Sequence, residues 1–446
     1  MGAEITIAIY FLFVIGIGIY SSFKIKKPDD YYVAGKKAGI VSVSGSLLAT
    51  ILGGSAILGT IELSQKTGWP ALWFLFSAAI GLFVLSFISK NIRRLGNFTL
   101  PELLKKFYGQ KAEQFASFII PLAWIGIVAA QIIAAAKISH GLGFISYQYA
   151  AVLSGIIFIA YTLLGGQLSI LKTDALQAFL IITGLVAIFI FALGNLEAEN
   201  ITPFRLSLLF NTSFSVVDLV VLLLTYSVTF VVGPDIYSRL FCAKNENTAR
   251  KSALLVAAVL IPVSFILTYI GIFAKNSGEG IINFSEHLLP GWAYGLFIAA
   301  LLSAVMSSAD TTLLTASIIL SELFSPNLAK RNALKLTRGF VIVIGLLSIV
   351  IALYITSIIQ ALLLALSFFS GAFVVPMLAA LLNIKINKKN VLWAMALGGL
   401  TALGGKLINI YVSPQTGNFI IIVSYLVNFG ALKVRQKKSH IEQIRG

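Results

Sequence analysis

The sequence predicts an all-α, polytopic membrane protein of about thirteen transmembrane helices. Three observations carry this. Of the 446 residues, 58% are hydrophobic, and the mean hydropathy is +0.94. Only 11% are charged, against about a quarter in a soluble domain. Apolar stretches of roughly 20 residues, the length that crosses a bilayer as a helix, recur from end to end. One cysteine, Cys242, excludes an internal disulfide, and no Cys/His spacing suits zinc. A net charge of +16 would suit nucleic acid in a soluble chain. In a membrane protein it follows from the cytoplasmic bias of Lys and Arg, and no nucleic-acid partner is expected.

The spans fall at approximately 5–23, 41–63, 70–90, 116–137, 146–165, 174–194, 215–233, 252–274, 292–323, 337–357, 360–382, 390–411 and 416–433. The first has neither a basic leader nor a small-residue cleavage site and is read as a retained helix. The second carries Gly53–Gly54 at mid-length, each glycine weakening the helix by about 1 kcal/mol. The seventh stops or kinks at Pro234, which lacks an amide for the helical ladder. The ninth holds Ser307, Ser308, Asp310, Thr311 and Thr312 inside an otherwise apolar run. Alternate loops and the tail collect 28 of the 33 Lys and Arg, Arg239 among them; Lys66, Lys137, Arg205, Lys275 and Lys406 are the remainder. That asymmetry places the N-terminus outside and the C-terminus in the cytoplasm of a cell-membrane protein. Spans two to six then form a group of five entering from inside, and seven to eleven a group entering from outside. This is the requirement of an inverted-topology repeat, found in secondary transporters. The chain divides into an extra N-terminal helix (1–34), a first repeat (35–200), a second, inverted repeat (201–389), and two further helices with a basic tail (390–446).

Four polar stretches are candidates for function. At about 1.5 Å per residue, Ser307 falls in the inner half of the bilayer and Asp310 deeper. Ser307, Asp310 and Thr311 share a helix face by i, i+3, i+4 spacing, and Ser308 faces a neighbouring direction. Single hydroxyls in a membrane helix usually bond back to the preceding turn or serve close packing. A carboxylate there is costly and points to function, and hydroxyl plus carboxylate oxygens suit a hard cation. In "ATILGGSAILGT" (49–60) a broken helix would free carbonyls for Na⁺, or the small residues would pack helices closely. Asp174 lies near the cytoplasmic mouth of the sixth span; taken alone, an acid favoured by the helix dipole explains it. In "TYSVTFVVGPDIYSR" (225–239), Tyr226, Thr229 and Phe230 project from one face. Trp124 and Gln131 of the fourth span, like those aromatics, are ordinarily packing or interhelical hydrogen-bonding residues.

Six stretches together carry a resemblance. They are "DDYYVAGKKAG" (29–39), "ATILGGSAILG" (49–59), "FTLPELLKKFYG" (98–109), "YTLLGGQLSILKTDALQ" (161–177), "GPDIYSRLFCAKNENTARK" (233–251) and "SAVMSSADTTLLTAS" (303–317). In this order they resemble the sodium:solute symporter family over most of residues 29–382. The resemblance implies a leucine-transporter-type 5+5 inverted repeat and Na⁺-coupled uptake of a small organic solute by alternating access. It implies one Na⁺ held by the carbonyls of Gly54, Ile57 and Ala304 and the hydroxyls of Ser307 and Ser308. Some members bind a second Na⁺ nearer the cytoplasm, which carries over to Asp174, Asp310 and Thr311. The solute would contact Ser55, Gly59, Trp124, Gln131, Tyr226, Thr229 and Phe230. Proline symporters carry an aspartate where this chain has Ala56, and the "ATxxGG…LGT" pattern is similar to the branch near choline and organic-acid carriers. Na⁺, the solute and membrane lipid are the expected partners, with no obligate protein partner.

The same fold driven by H⁺, with Asp174 or Asp310 as proton carrier, is the nearest alternative. A membrane-embedded enzyme would need an acid-base or metal cluster. His140, His287 and His440 are the only histidines, read in loops or the tail, and no H-E-x-x-H occurs. A transporter-like sensor would append a signalling domain, and none is expected from the tail.

Overall fold

The computed structural model describes residues 28–433 apart from 97, 144, 195–202, 278–279, 326–330, 383 and 385–387, together with residues 9, 16, 17 and 20. Apart from those four residues, the predicted first span, 5–23, lies outside the described residues, as does His440. Helices make up the fold, and among the described residues there are only isolated β-bridges. In chain order the main helices are α1 (Ile40–Ile51), α2 (Gly54–Thr67), α3 (Leu72–Leu95), α4 (Gln110–Gly141), α5 (Tyr147–Leu164) and α6 (Gly166–Leu193). They continue as α7 (216–232), α8 (Pro234–Cys242), α9 (Glu246–Ser277), α10 (Gly291–Phe324), α11 (Arg331–Tyr354), α12 (Ile358–Leu381), α13 (Val391–Tyr411) and α14 (Pro414–Lys433). Eleven described helices are long and apolar enough to span a membrane, or twelve if the bent pair α1–α2 is counted as one span.

The helices break where the sequence supplies a reason. Between α1 and α2 the chain turns by 46° at Gly53–Gly54. Gly166 separates α5 from α6 with φ at +64°, and a Cβ there would stand 2.5 Å from Cδ2 of Tyr31. Backbone sign and space both demand glycine at that position. No loop separates the predicted fifth and sixth spans, because the helical chain resumes at once after Gly166. Asp174 consequently lies more than two turns inside α6, not at a helix mouth, and beyond the first turn the helix dipole has faded. In α7 a π-helical stretch, Leu223–Ser227, precedes the break at Gly233. Its loosened ladder leaves the Leu224 carbonyl to accept from the Tyr425 hydroxyl of α14. His140 ends α4 and His287 sits in the short helix Ile281–Leu288, correcting their predicted loop placement.

At the centre runs α10, whose apolar stretch is 83% buried. Its apolar residues are buried on every side, and its polar ones, Ser307 to Thr312 among them, are buried with them. It packs against α1, α2, α4, α5–α6, α8 and α11. Outer helices keep large apolar side chains exposed, such as Ile342, Val343, Leu346, Leu347 and Val350 of α11. Those residues are the lipid face. Lys137, one of the few cations predicted on the outer side, is paired with Glu62 of α2 at 2.6 Å.

Helix approach is set by small residues. A Cβ at Gly271 of α9 would lie 1.8 Å from Ser64 Oγ and 2.8 Å from the Ile61 carbonyl of α2. Gly271→Leu is expected to cost about 1–3 kcal/mol through overpacking. Gly339→Leu, with nothing within 4 Å, should be nearly neutral. Thermal unfolding in detergent compares the two; equal melting temperatures would refute the tight α2–α9 crossing.

Candidate functional site

The site begins at the end of α1. A helix C-terminus leaves its last carbonyls without amide partners. Here Leu52 N–H returns to the Leu48 carbonyl at 2.8 Å. The Ser308 hydroxyl of α10 donates to the Thr50 carbonyl at 2.7 Å and lies 3.4 Å from that of Ala49. Glycine permits this approach, since a Cβ at Gly53 would meet Ser308 Oγ at 2.1 Å. On the other side of the break, α2 presents amides. Gln131 of α4 brackets them: its Oε1 accepts from Ser55 N–H at 3.3 Å and its Nε2 donates to Ser55 Oγ at 2.7 Å.

This geometry revises the predicted register of the freed carbonyls. Gly54 and Ile57 lie on the amide side of the break. Gly54 has negative φ and packs tightly: a Cβ there would stand 2.1 Å from Val305 Cγ2 and 3.0 Å from Ala134 Cβ. Ile57 is buried in the apolar core of α2. The carbonyls that reach the α10 hydroxyls are those of Ala49 and Thr50, one turn earlier. Ala304 is fully buried one turn before Ser307 on α10.

Beside the break lies a cavity of about 60 Å³. Ser55 and Ala56, Trp124 and Gln131, Tyr226, Thr229 and Phe230, Ser308 and Thr312 all line it, as does Asp235 at the start of α8. Gly59 does not; it sits a turn further along α2 against Ile359, where a Cβ would be 3.2 Å from Cγ1. The aromatic wall is fixed by ring contacts. Tyr226 stacks on Phe74 with centroids 4.2 Å apart and meets Phe230 edge-on at 4.9 Å, and Trp124 meets Phe369 at 4.8 Å. The Trp124 indole N–H is buried without a hydrogen-bond partner. Thr229 donates back to the Tyr226 carbonyl at 2.6 Å, so its hydroxyl proton is engaged within the helix.

Below the cavity is a buried ionic cluster. Ser307 donates to Asp174 Oδ1 at 2.5 Å, and Ser46 of α1 donates to Asp174 Oδ2. Arg239 of α8 reaches the same Oδ2 with Nη2 at 3.4 Å, donates from Nε to Ser46 Oγ at 3.0 Å, and donates from Nη2 to Thr311 Oγ1. Thr311 in turn lies 3.5 Å from Asp310 Oδ1, while Asp310 Oδ2 is buried with no partner. Asp174 and Arg239 are 0% exposed and Asp310 1%. The shared face of Ser307, Asp310 and Thr311 therefore points at α6 and α8, and Ser308 points at α1.

Arg239 corrects the charge map read from the sequence, which assigned it to a cytoplasmic loop. Pro234 does not end the segment. It occupies the first turn of a new helix, where its missing amide costs nothing, and α8 carries Arg239 back into the protein. The signal was present as Asp235 and Arg239 at i, i+4 after a helix-starting proline. Ser46 had no such signal, since an isolated serine in a membrane helix resembles any packing residue.

The profile of the Sodium:solute symporter family matches residues 31–398. This chain belongs to that family. Among its relatives are the sodium/proline symporters of Haemophilus influenzae, 26% identical over 393 residues with 78% of this chain and 77% of that one covered, and of Staphylococcus aureus strain JH9, 24% identical over 376 residues with 78% and 73% covered. A Na⁺-coupled sialic acid symporter in a substrate-bound, outward-open state superposes with a TM-score of 0.77 at 18% identity across 97% of each chain. Mhp1, a nucleobase-cation-symport-1 family transporter, superposes at 0.61 with 14% identity, over 90% of this chain and 93% of that one. The family member described here shares its fold with both.

Removing one partner of a buried ion pair leaves the other charge uncompensated, at a cost of roughly 3–5 kcal/mol. Asp174→Ala should therefore lower the unfolding temperature markedly in Na⁺-free, K⁺-containing buffer. The double change Asp174→Ala, Arg239→Met should lower it less than Asp174→Ala alone. A double variant as unstable as the two losses combined would show that the pair is not coupled.

Proposed function

We propose that this member of the family couples inward movement of one Na⁺ to uptake of a compact, amine-bearing solute such as an amino acid, by alternating access. The observation that supports it most is the break between α1 and α2, whose freed carbonyls face the Ser308 hydroxyl of α10 beside an aromatic-walled cavity. Na⁺ is a hard cation and prefers such neutral and charged oxygens. Its ligands in this reading are the Ser307 and Ser308 hydroxyls, the Ala304 carbonyl and the α1 carbonyls of Ala49 and Thr50. The last two replace those expected from Gly54 and Ile57.

The cavity supports the solute class. Its volume corresponds to roughly four to six waters at 10–15 Å³ each, which favours a compact molecule. The unpartnered Trp124 N–H is a donor for a carboxylate or carbonyl. Asp235 supplies a negative charge beside Tyr226 and Phe230, an environment that suits an ammonium group. Ala56, where proline symporters carry an acid, shares this cavity with Asp235, so the site does not lack a carboxylate. We place the first repeat at 35–200 and the inverted second repeat at 201–389, each opening with an interrupted helix, α1–α2 and α7–α8. In this topology the N-terminus is outside and the C-terminus in the cytoplasm of the cell membrane.

H⁺ coupling is the second reading, favoured by the unpartnered Asp310 Oδ2, where a proton could reside. Uptake of a radiolabelled amino-acid panel into proteoliposomes separates them. An inward Na⁺ gradient at equal pH should drive accumulation, and a pH gradient without Na⁺ should not; the reverse outcome would establish H⁺ coupling. Ser308→Ala should raise the Na⁺ concentration for half-maximal uptake several-fold, with expression nearly unchanged. Unaltered Na⁺ dependence would displace the ion from the break. Phe230→Ala and Asp235→Asn should each weaken solute affinity while leaving Na⁺ binding in the absence of solute largely intact. Loss of Na⁺ binding with solute affinity preserved would remove the solute from this cavity.

A further inference from the structure

We propose that Arg239 is a built-in cation, its guanidinium occupying the position of a second Na⁺ and limiting the protein to a single Na⁺ per cycle. This rests on the Na⁺-coupled reading and goes beyond it by setting the stoichiometry. Asp174, Asp310 and Thr311 were the oxygens expected to hold a second ion. Arg239 Nη2 already engages two of these three residues, lying 3.4 Å from Asp174 Oδ2 and donating to Thr311 Oγ1. The remaining capacity of Asp174 is taken by Ser307 on Oδ1 and Ser46 on Oδ2, and Ser46 is itself held by Arg239 Nε at 3.0 Å. Planar and multiply donating, a guanidinium suits such a fan of oxygens better than a point charge does. A Na⁺ at the same place would have to displace a fully buried arginine.

Charge balance leads to the same count. Asp174 and Asp310 contribute two negative charges, and Arg239 supplies one positive charge. The charge left over resides near Asp310, whose Oδ2 has no partner. One Na⁺ at Ser307 and Ser308, a single turn away on α10, neutralises it. A second Na⁺ would leave an excess positive charge in a site closed to water, which a low-dielectric interior opposes strongly. Asp235, the third acid near the guanidinium, faces the solute cavity and accepts from the first amides of its own helix, so it belongs to the solute balance. Because α8 packs on α1, α3 and α10, the arginine stays with the protein. Its charge screens the acids but is not delivered across the membrane, and it contributes nothing to solute accumulation.

Equilibrium binding of radioactive Na⁺ to the purified protein, without solute and in K⁺ buffer, tests this. Wild type should bind one Na⁺ per chain. Arg239→Lys, which keeps a tethered cation, should also bind one. Arg239→Gln should bind two, and the second should disappear in Arg239→Gln with Asp174→Asn. Asp174→Asn alone leaves Arg239 to balance Asp310 by itself and should bind no Na⁺ at concentrations that saturate wild type, and adding Arg239→Gln should restore one ion; the Asp174→Asn variant decides the matter even where Arg239→Gln does not fold. Two ions in wild type, one in folded Arg239→Gln, or wild-type Na⁺ affinity in Asp174→Asn would each overturn the proposal. No Na⁺ bound by wild type would overturn the Na⁺-coupled reading itself, an outcome distinct from all of these.

Discussion

In hydrocarbon no water is available to satisfy a backbone amide or carbonyl, so a membrane helix can break only where protein groups replace the lost hydrogen bonds. The rest of this structure depends on how one such break is satisfied. Ser308 serves the carbonyl end of α1, and Gln131 serves the amide end of α2. Both side chains come from neighbouring helices, which ties α1 and α2 to α10 and α4 across the middle of the molecule. The glycines at 53 and 54 have little to do with unusual torsion angles. They matter because Ser308, Val305 and Ala134 occupy the space a side chain would need.

The same economy governs the charged cluster. Four helices, α1, α6, α8 and α10, each bring one or more polar groups to a point no single helix could stabilise. Ser46 links the two charges directly, since it donates to Asp174 and accepts from Arg239. A buried ion pair of this kind contributes little net stability relative to an apolar packing of the same volume. Its value lies in specifying how the four helices meet, and it leaves one carboxylate oxygen, Asp310 Oδ2, without a hydrogen-bond partner.

The α7–α8 region shows a different use of irregular backbone. A π-helical stretch and the Gly233 break both relax the helical ladder, and Tyr226, Thr229 and Phe230 face the cavity from this loosened segment. Pro234 then restarts the helix. The consequence is that Asp235 reaches the cavity while Arg239, one turn later, reaches the ion cluster. One short helix thus contributes to both the cavity and the ionic cluster.

Much of this was determined by the sequence alone. Length and hydropathy of the apolar runs dictate membrane helices, because a bilayer of fixed thickness admits little else. Gly53–Gly54 and Pro234 announce where helices are interrupted, since their backbone chemistry acts locally. Asp310 and the paired serines announce a polar site, since a carboxylate in lipid is too costly to be incidental. Tertiary structure alone decided which oxygens meet. The freed carbonyls proved to belong to Ala49 and Thr50, because a helix releases carbonyls upstream of its end and amides downstream, and which of them faces α10 depends on the 46° bend. Gly59 left the cavity because one further turn of α2 carries it against α12. Arg239 passed for a loop cation because net charge along a chain says which side of the membrane a segment favours, while the burial of one guanidinium depends on a carboxylate 65 residues away in sequence, on another helix, and on the hydroxyls of Ser46, Ser238 and Thr311 that complete its hydrogen bonds.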